Sequence, residues 1–274
     1  MKTDWTTTMR FFGVRFIALR AIAALSLALM FSACTIVTGS VPRPTDDASA
    51  ANFNAQLGQQ HFQRWLQEGD RGDLEIANEK LDKALDQDSN NSLAHITMAR
   101  LQFAIDKPEV ARGHYKRALA IEPDNADNRN AYGIFLCSIG DVNSAETEFN
   151  KAASNPFYET PEFALDNAGV CMLDAGRLKE AEKYLLEAVR RNPQFGNAFL
   201  HIAELRFKER RLTIAESYLD LHHKNSPVSS ASLWTGLQIQ RDRGDLQAAD
   251  EFAKKLLNDF PNSQEAGALL AQPQ

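Results

Sequence analysis

The chain has 274 residues, of which 44% are apolar and 24% charged, the composition of a folded protein. Glycine and proline are few, at 14 and 10, which suits a mainly helical chain. With residues 1–33 set aside, 26 basic and 35 acidic residues remain, a net charge of −9. That balance excludes nucleic acid as a partner, because binding phosphates requires a basic face.

Residues 1–20 carry Lys2, Arg10, Arg15 and Arg20 against a single acid, Asp4. The run AIAALSLALMFSA follows, from Ala21 to Ala33. At 13 residues it is too short to cross a bilayer and fits the core of a secretory signal. Cys34 comes directly after Phe31-Ser32-Ala33. Small residues before a cysteine resemble a bacterial lipobox, with Phe31 standing where Leu or Val is usual. Residues 1–33 are therefore expected to be a lipoprotein signal peptide and Cys34 the site of lipid attachment. Plain cleavage near Ala33 and an uncleaved anchor are the alternatives. Two or three acyl chains would anchor firmly, since each buried methylene contributes roughly 0.8 kcal/mol. Thr35, not Asp, follows the cysteine, and the resemblance to bacterial lipoproteins then implies the outer membrane. Residues 35–52, TIVTGSVPRPTDDASAAN, lack an apolar period. The segment 34–52 is expected to be the lipidated cysteine and a flexible tether.

Beyond residue 52 six alanines set a register: Ala77, Ala111, Ala145, Ala181, Ala215 and Ala249. Their spacings are 34, 34, 36, 34 and 34 residues, the period of the tetratricopeptide repeat. Twelve residues before four of them stand Ala99, Gly133, Gly169 and Ala203, where the two helices of a repeat would touch; Leu237 breaks that pattern. Seven residues after four of them stand Ala84, Ala118, Ala152 and Ala188, with His222 and Leu256 departing. Pro123, Pro193, Pro227 and Pro261 close second helices. The fold expected is all-α: a right-handed tetratricopeptide-repeat superhelix of about six helix–turn–helix repeats over residues 53–263, with a stub at 264–274. The first repeat is about seven residues longer than the norm between Leu57 and Ala77, and the third carries two extra residues near Ser154–Phe163.

Such repeats bury apolar faces against their neighbours and line a concave surface with their first helices. The inward positions predict a groove of Leu93, Ile96, Arg100, Phe103, Asn130, Ile134, Phe163, Asp166, Val170, Leu200, Glu204 and Phe207. An apolar lining with a few charges suits a protein segment more than a small molecule; the alternative is that several of these residues complete the core. Cys137 and Cys171 fall in the first helices of adjacent repeats. In an exported protein they are expected to form a disulfide, the alternative being two small buried core residues.

No catalytic constellation appears, and neither an enzyme nor a cofactor is expected. His61, His95, His114, His201, His222 and His223 form no spaced metal-ligand motif. There is no GxSxG, phosphate loop or HExxH.

The whole resembles the type IV pilus biogenesis and stability lipoprotein family (PilF/PilW). Tyr132, Gly133, Phe135, Leu136 and Cys137 match its Tyr-Gly-x-Phe-Leu-Cys run. Pro156, Tyr158 and Pro161 match an aromatic turn, and Asn167, Ala168, Gly169 and Cys171 match Asn-Ala-Gly-x-Cys. The resemblance covers nearly all of the expected mature chain. It implies an outer-membrane lipoprotein facing the periplasm, with the two central cysteines bridged. It also implies binding to the secretin of the pilus, and to other pilus assembly proteins, so as to promote secretin localisation and multimerisation. The alternative is a repeat scaffold for another envelope assembly machine, which would have no need of the cysteine-bearing central phrases.

Overall fold

The computed structural model describes residues 46–272. Thirteen helices and no strand are found among the described residues, arranged as a right-handed solenoid of antiparallel helix pairs. The first pair is α1 (Asp46–Glu68) and α2 (Arg71–Gln87); α3 (Ser92–Ala104) and α4 (Pro108–Ile121) follow. Next come α5 (Ala126–Ser138) with α6 (Val142–Ala153) and α7 (Pro161–Asp174) with α8 (Leu178–Arg191). The array ends with α9 (Gly196–Lys208) and α10 (Leu212–Asn225), α11 (Ser230–Arg243) and α12 (Leu246–Asp259), and the short α13 (Gln264–Leu270).

Local sequence explains the helix ends. Asn91, Asn125, Asp141 and Asp245 accept from backbone N–H groups that the first turn leaves without partners. Ser229 does so within a capping box completed by Ser232. Pro108 and Pro161 open their helices where a missing N–H costs nothing. Each hairpin turn holds one residue in the left-handed region: Gly69, Asp106, Gly140, Gly176, Arg210 and Gly244. In the last five hairpins this residue stands five positions before the register alanine. There the next backbone N–H reaches back to a carbonyl five residues earlier, as from Asp141 to Leu136 and Arg211 to Arg206.

The six register alanines are buried between the two helices of their pair. Opposite them the first helix must approach closely. A Cβ on Gly133 would lie 2.6 Å from Phe149 Cε1, and one on Gly169 2.5 Å from Leu185 Cδ2. Leu237 does not break the pattern in space, because Gly236 takes the close-approach role against Phe252. In the first repeat the role falls to Gly58, against Leu81. Gly58 to Gly69 spans eleven residues, where Gly133 to Gly140 spans seven. Gly69 to Ala77 spans eight, where Gly140 to Ala145 spans five. The extension is thus four residues on α1 and three on α2, about one turn on each. The facing surfaces stay in register, and the added tip is tied by Asp73, which holds His61 Nδ1 at 2.5 Å and Arg64 at 3.3 Å.

One boundary is corrected. The tether was expected to run through residue 52, but α1 begins at Asp46. Ala48, Ala50 and Ala51 favour helix, and Asp47 suits its positive N-terminus. The segment is also pinned to its neighbours: Asn91 Nδ2 donates to Asn52 Oδ1 at 2.7 Å, and Asn54 Nδ2 to Gln87 Oε1 at 2.8 Å.

Candidate functional site

The first helices of successive repeats, α3, α5, α7, α9 and α11, lie beside one another along one face. Each adjacent pair is stitched by a side-chain hydrogen bond. Asn128 Nδ2 on α5 donates to Ser92 Oγ on α3 at 3.0 Å. Asn167 Nδ2 on α7 donates to Asn130 Oδ1 on α5, also at 3.0 Å. His201 Nδ1 on α9 lies 2.8 Å from Asp166 Oδ1 on α7. Thr235 Oγ1 on α11 donates to Glu204 Oε1 on α9 at 3.4 Å. Buried polar groups of this kind rigidify a surface when they are satisfied by partners. The disulfide between Cys137 and Cys171 adds a covalent stitch from α5 to α7, with Cα atoms 5.8 Å apart.

A cleft of about 370 Å³ is lined by Ile96 and Arg100 on α3, Tyr115 on α4, and Asp127, Asn128, Asn130, Ala131 and Ile134 on α5. The Arg100 guanidinium also lies over the Phe62 ring, 5.9 Å from its centre. Ile134 is 45% exposed and Phe163 43% exposed, both large apolar groups left open to solvent. Phe163 meets Phe195 edge-on at 4.7 Å, and Phe103 meets Phe135 at 5.2 Å. Asn130, Val170 and Phe207 are half-buried.

Two of the expected lining residues lie inside. Leu200 belongs to a buried cluster with Ala203, Ala215, Leu219 and Ile239. Asp166 is buried and committed to His201. Leu200 and Asp166 therefore offer no open side chain on this face, whereas Phe207 on α9 stays half-buried like Val170 on α7. Sequence reasoning passed over Asn167, His201 and Thr235. Asn167 and His201 each stand one residue after an expected groove position, Asp166 and Leu200, and that offset was the available signal.

Charge between α7 and α9 is organised around His201. Burial alone would hold its imidazole neutral, but the Asp166 carboxylate, with Glu204 and Asp174 nearby, overrides it and raises the pKa above the ordinary value. Burial pushes the Glu204 carboxyl up, against the opposing pull of His201. Among the described residues no group of three or more His, Cys, Asp or Glu is placed to hold a metal. No described helix is long and apolar enough to cross a membrane. Cys34 lies outside the described residues.

Comparisons with known proteins agree with this architecture. Family models described as tetratricopeptide repeat match residues 173–230 and 230–263. The chain is 27% identical over 248 residues to the type IV pilus assembly protein PilF of Pseudomonas aeruginosa, covering 90% of this chain and 96% of that one. The crystal structure of PilW, a widely conserved type IV pilus biogenesis factor, superposes with a TM-score of 0.66 at 29% identity, over 81% of this chain and 98% of PilW. A solved structure of Pseudomonas aeruginosa PilF gives 0.62 at 27% identity, over 83% of this chain and 99% of that one. The chain is a tetratricopeptide-repeat protein, homologous at moderate identity over most of its length to the type IV pilus biogenesis factors PilF and PilW.

Proposed function

We propose that the chain is a non-catalytic scaffold for type IV pilus assembly in the bacterial envelope. Acyl chains on Cys34 hold it at the periplasmic face of the outer membrane. Its groove cradles a segment of the secretin while secretin subunits reach that membrane and multimerise. The observation that carries this reading is the homology to PilF and PilW along most of the chain. The groove supports it: Ile134 and Phe163 offer apolar surface on helices stitched rigidly together, which lowers the ordering cost of holding an extended or helical segment.

The test is made in the source bacterium. Deleting the gene is expected to lower the amount of heat-stable secretin multimer in the outer-membrane fraction. A wild-type copy restores it, and an Ile134→Asp copy restores less, because a carboxylate in the groove repels an apolar segment while an exposed site tolerates it in the fold. Normal multimer in the deletion strain would overturn the secretin role and leave a role in pilus stability.

A further inference from the structure

His95 on α3 and His114 on α4 face each other with their Nδ1 atoms 2.9 Å apart. The proton count of this contact follows from a third atom. His95 Nε2 lies 3.1 Å from the Ser89 carbonyl oxygen, which can only accept, so Nε2 carries a hydrogen. In neutral His95 the Nδ1 is then bare, and it accepts from Nδ1–H of His114. One proton occupies the space between the rings. His114 can take a second proton at its own Nε2 and keep the bond, as an imidazolium donating to an imidazole. His95 has room for an added proton only at Nδ1, where it would set N–H against N–H.

We propose that this histidine pair is an acid-labile latch on the second hairpin, holding α4 against α3 only while the two rings share the proton between them. In the native state the pair carries at most one positive charge, whereas the unfolded chain accepts one on each ring as pH falls past about 6.5. Stability of the hairpin is therefore complete above that value and is lost progressively below it, with a deficit of at least one proton. Burial acts in the same direction on both rings and lowers their pKa values. The charges acting on the pair are Asp88 at the end of α2, which favours a proton on His95, and Arg117 on α4, which opposes it. The helix released by opening, α3, carries Ile96, Arg100 and Phe103, so the latch would also govern one wall of the groove described above.

The full chain in detergent is compared with a His95→Gln/His114→Asn double variant, whose pair cannot titrate. Hydrogen exchange of the α3 and α4 amides is followed from pH 7.5 to 5 and corrected for its intrinsic pH dependence. The expected result is an opening constant that rises about tenfold per pH unit below pH 6 in the wild type relative to the variant, the slope of a one-proton deficit. The other histidines are common to both proteins, so their contributions cancel. Ring-nitrogen NMR on the wild type gives a second readout that needs no variant: at pH 5.5 one ring of the pair stays neutral. Two fully protonated rings with α4 protection intact would overturn the latch. So would identical pH dependence in the two proteins.

Discussion

The middle of the array and its C-terminal end use the same hairpin but are held by different means. Around α5–α8 one continuous core joins buried residues from Ala99 to Leu205. It includes a cluster of rings, with Tyr115, Tyr132 and Phe135 5.0 to 6.1 Å apart, and the Cys137–Cys171 bridge spans its two repeats. At the end, the cluster closed by α11–α13 holds three buried apolar residues among those described, Leu233, Leu256 and Ala266. Leu246 is 72% exposed and Leu270 70% exposed. In a solenoid each repeat is stabilised by its own contacts and by its neighbours, and a terminal repeat has a neighbour on one side only. The difference teaches that unfolding free energy is graded along the chain, with the last repeat opening first.

Substitutions can break that contrast or sharpen it. Phe149 is 1% exposed and fills the space that Gly133 leaves open. Phe149→Ala is expected to cost about 3–5 kcal/mol in urea unfolding and to loosen the whole middle of the chain. Leu256→Ala, equally buried, is expected to cost about 2–3 kcal/mol and to raise hydrogen exchange only in α11–α13. If both changes loosened the same amides, the chain would be one cooperative unit and the gradient would be wrong. Replacing Cys137 and Cys171 together by serine opens a loop closed across 34 residues and is expected to cost roughly 3–4 kcal/mol, read as a shift in urea midpoint. The loss should be confined to α5–α8, with α11–α13 exchanging as before. The smallest change expected is a gain. Arg210 adopts a φ of 63° at a turn where four other hairpins use glycine. Arg210→Gly is expected to stabilise by about 0.5–1 kcal/mol, the left-handed strain relieved less the entropy of a glycine. The ion pair lost with Asp242 is exposed and offsets little of this.

Most of the fold was legible because its signal is local and repeated. The register alanines mark where two helices touch, and close contact at a fixed period is what demands a small side chain there. What escaped was the partner of two of the alanines, Ala77 and Ala249. Leu237 looked like a break, and Trp65 stands at the same offset in the first repeat. The glycines that allow close approach, Gly236 and Gly58, sit one residue and one heptad away. The groove was read with less success. Leu200 and Asp166 stand at inward positions, yet neighbouring repeats claim them, Leu200 for a core and Asp166 for His201. A periodicity rule knows the angle of a side chain about its own helix. It carries no information about which residue of the next repeat is waiting to meet it. The histidine contact between α3 and α4 was invisible for the same reason, since His95 and His114 match no motif.

The tall first hairpin has a consequence for how such arrays change length. Growth by seven residues, four on one arm and three on the other, adds about one turn to each and returns the buried faces to within roughly 60° of their starting side. One or two residues inserted in an arm would rotate everything beyond them by about 100° or more, turning alanines outward and charges into the seam. The two extra residues near Pro156 were tolerated because they fell in a loop, where nothing beyond them must turn. Natural variation in this architecture is thus expected to come in whole windings within helices and in any number between them.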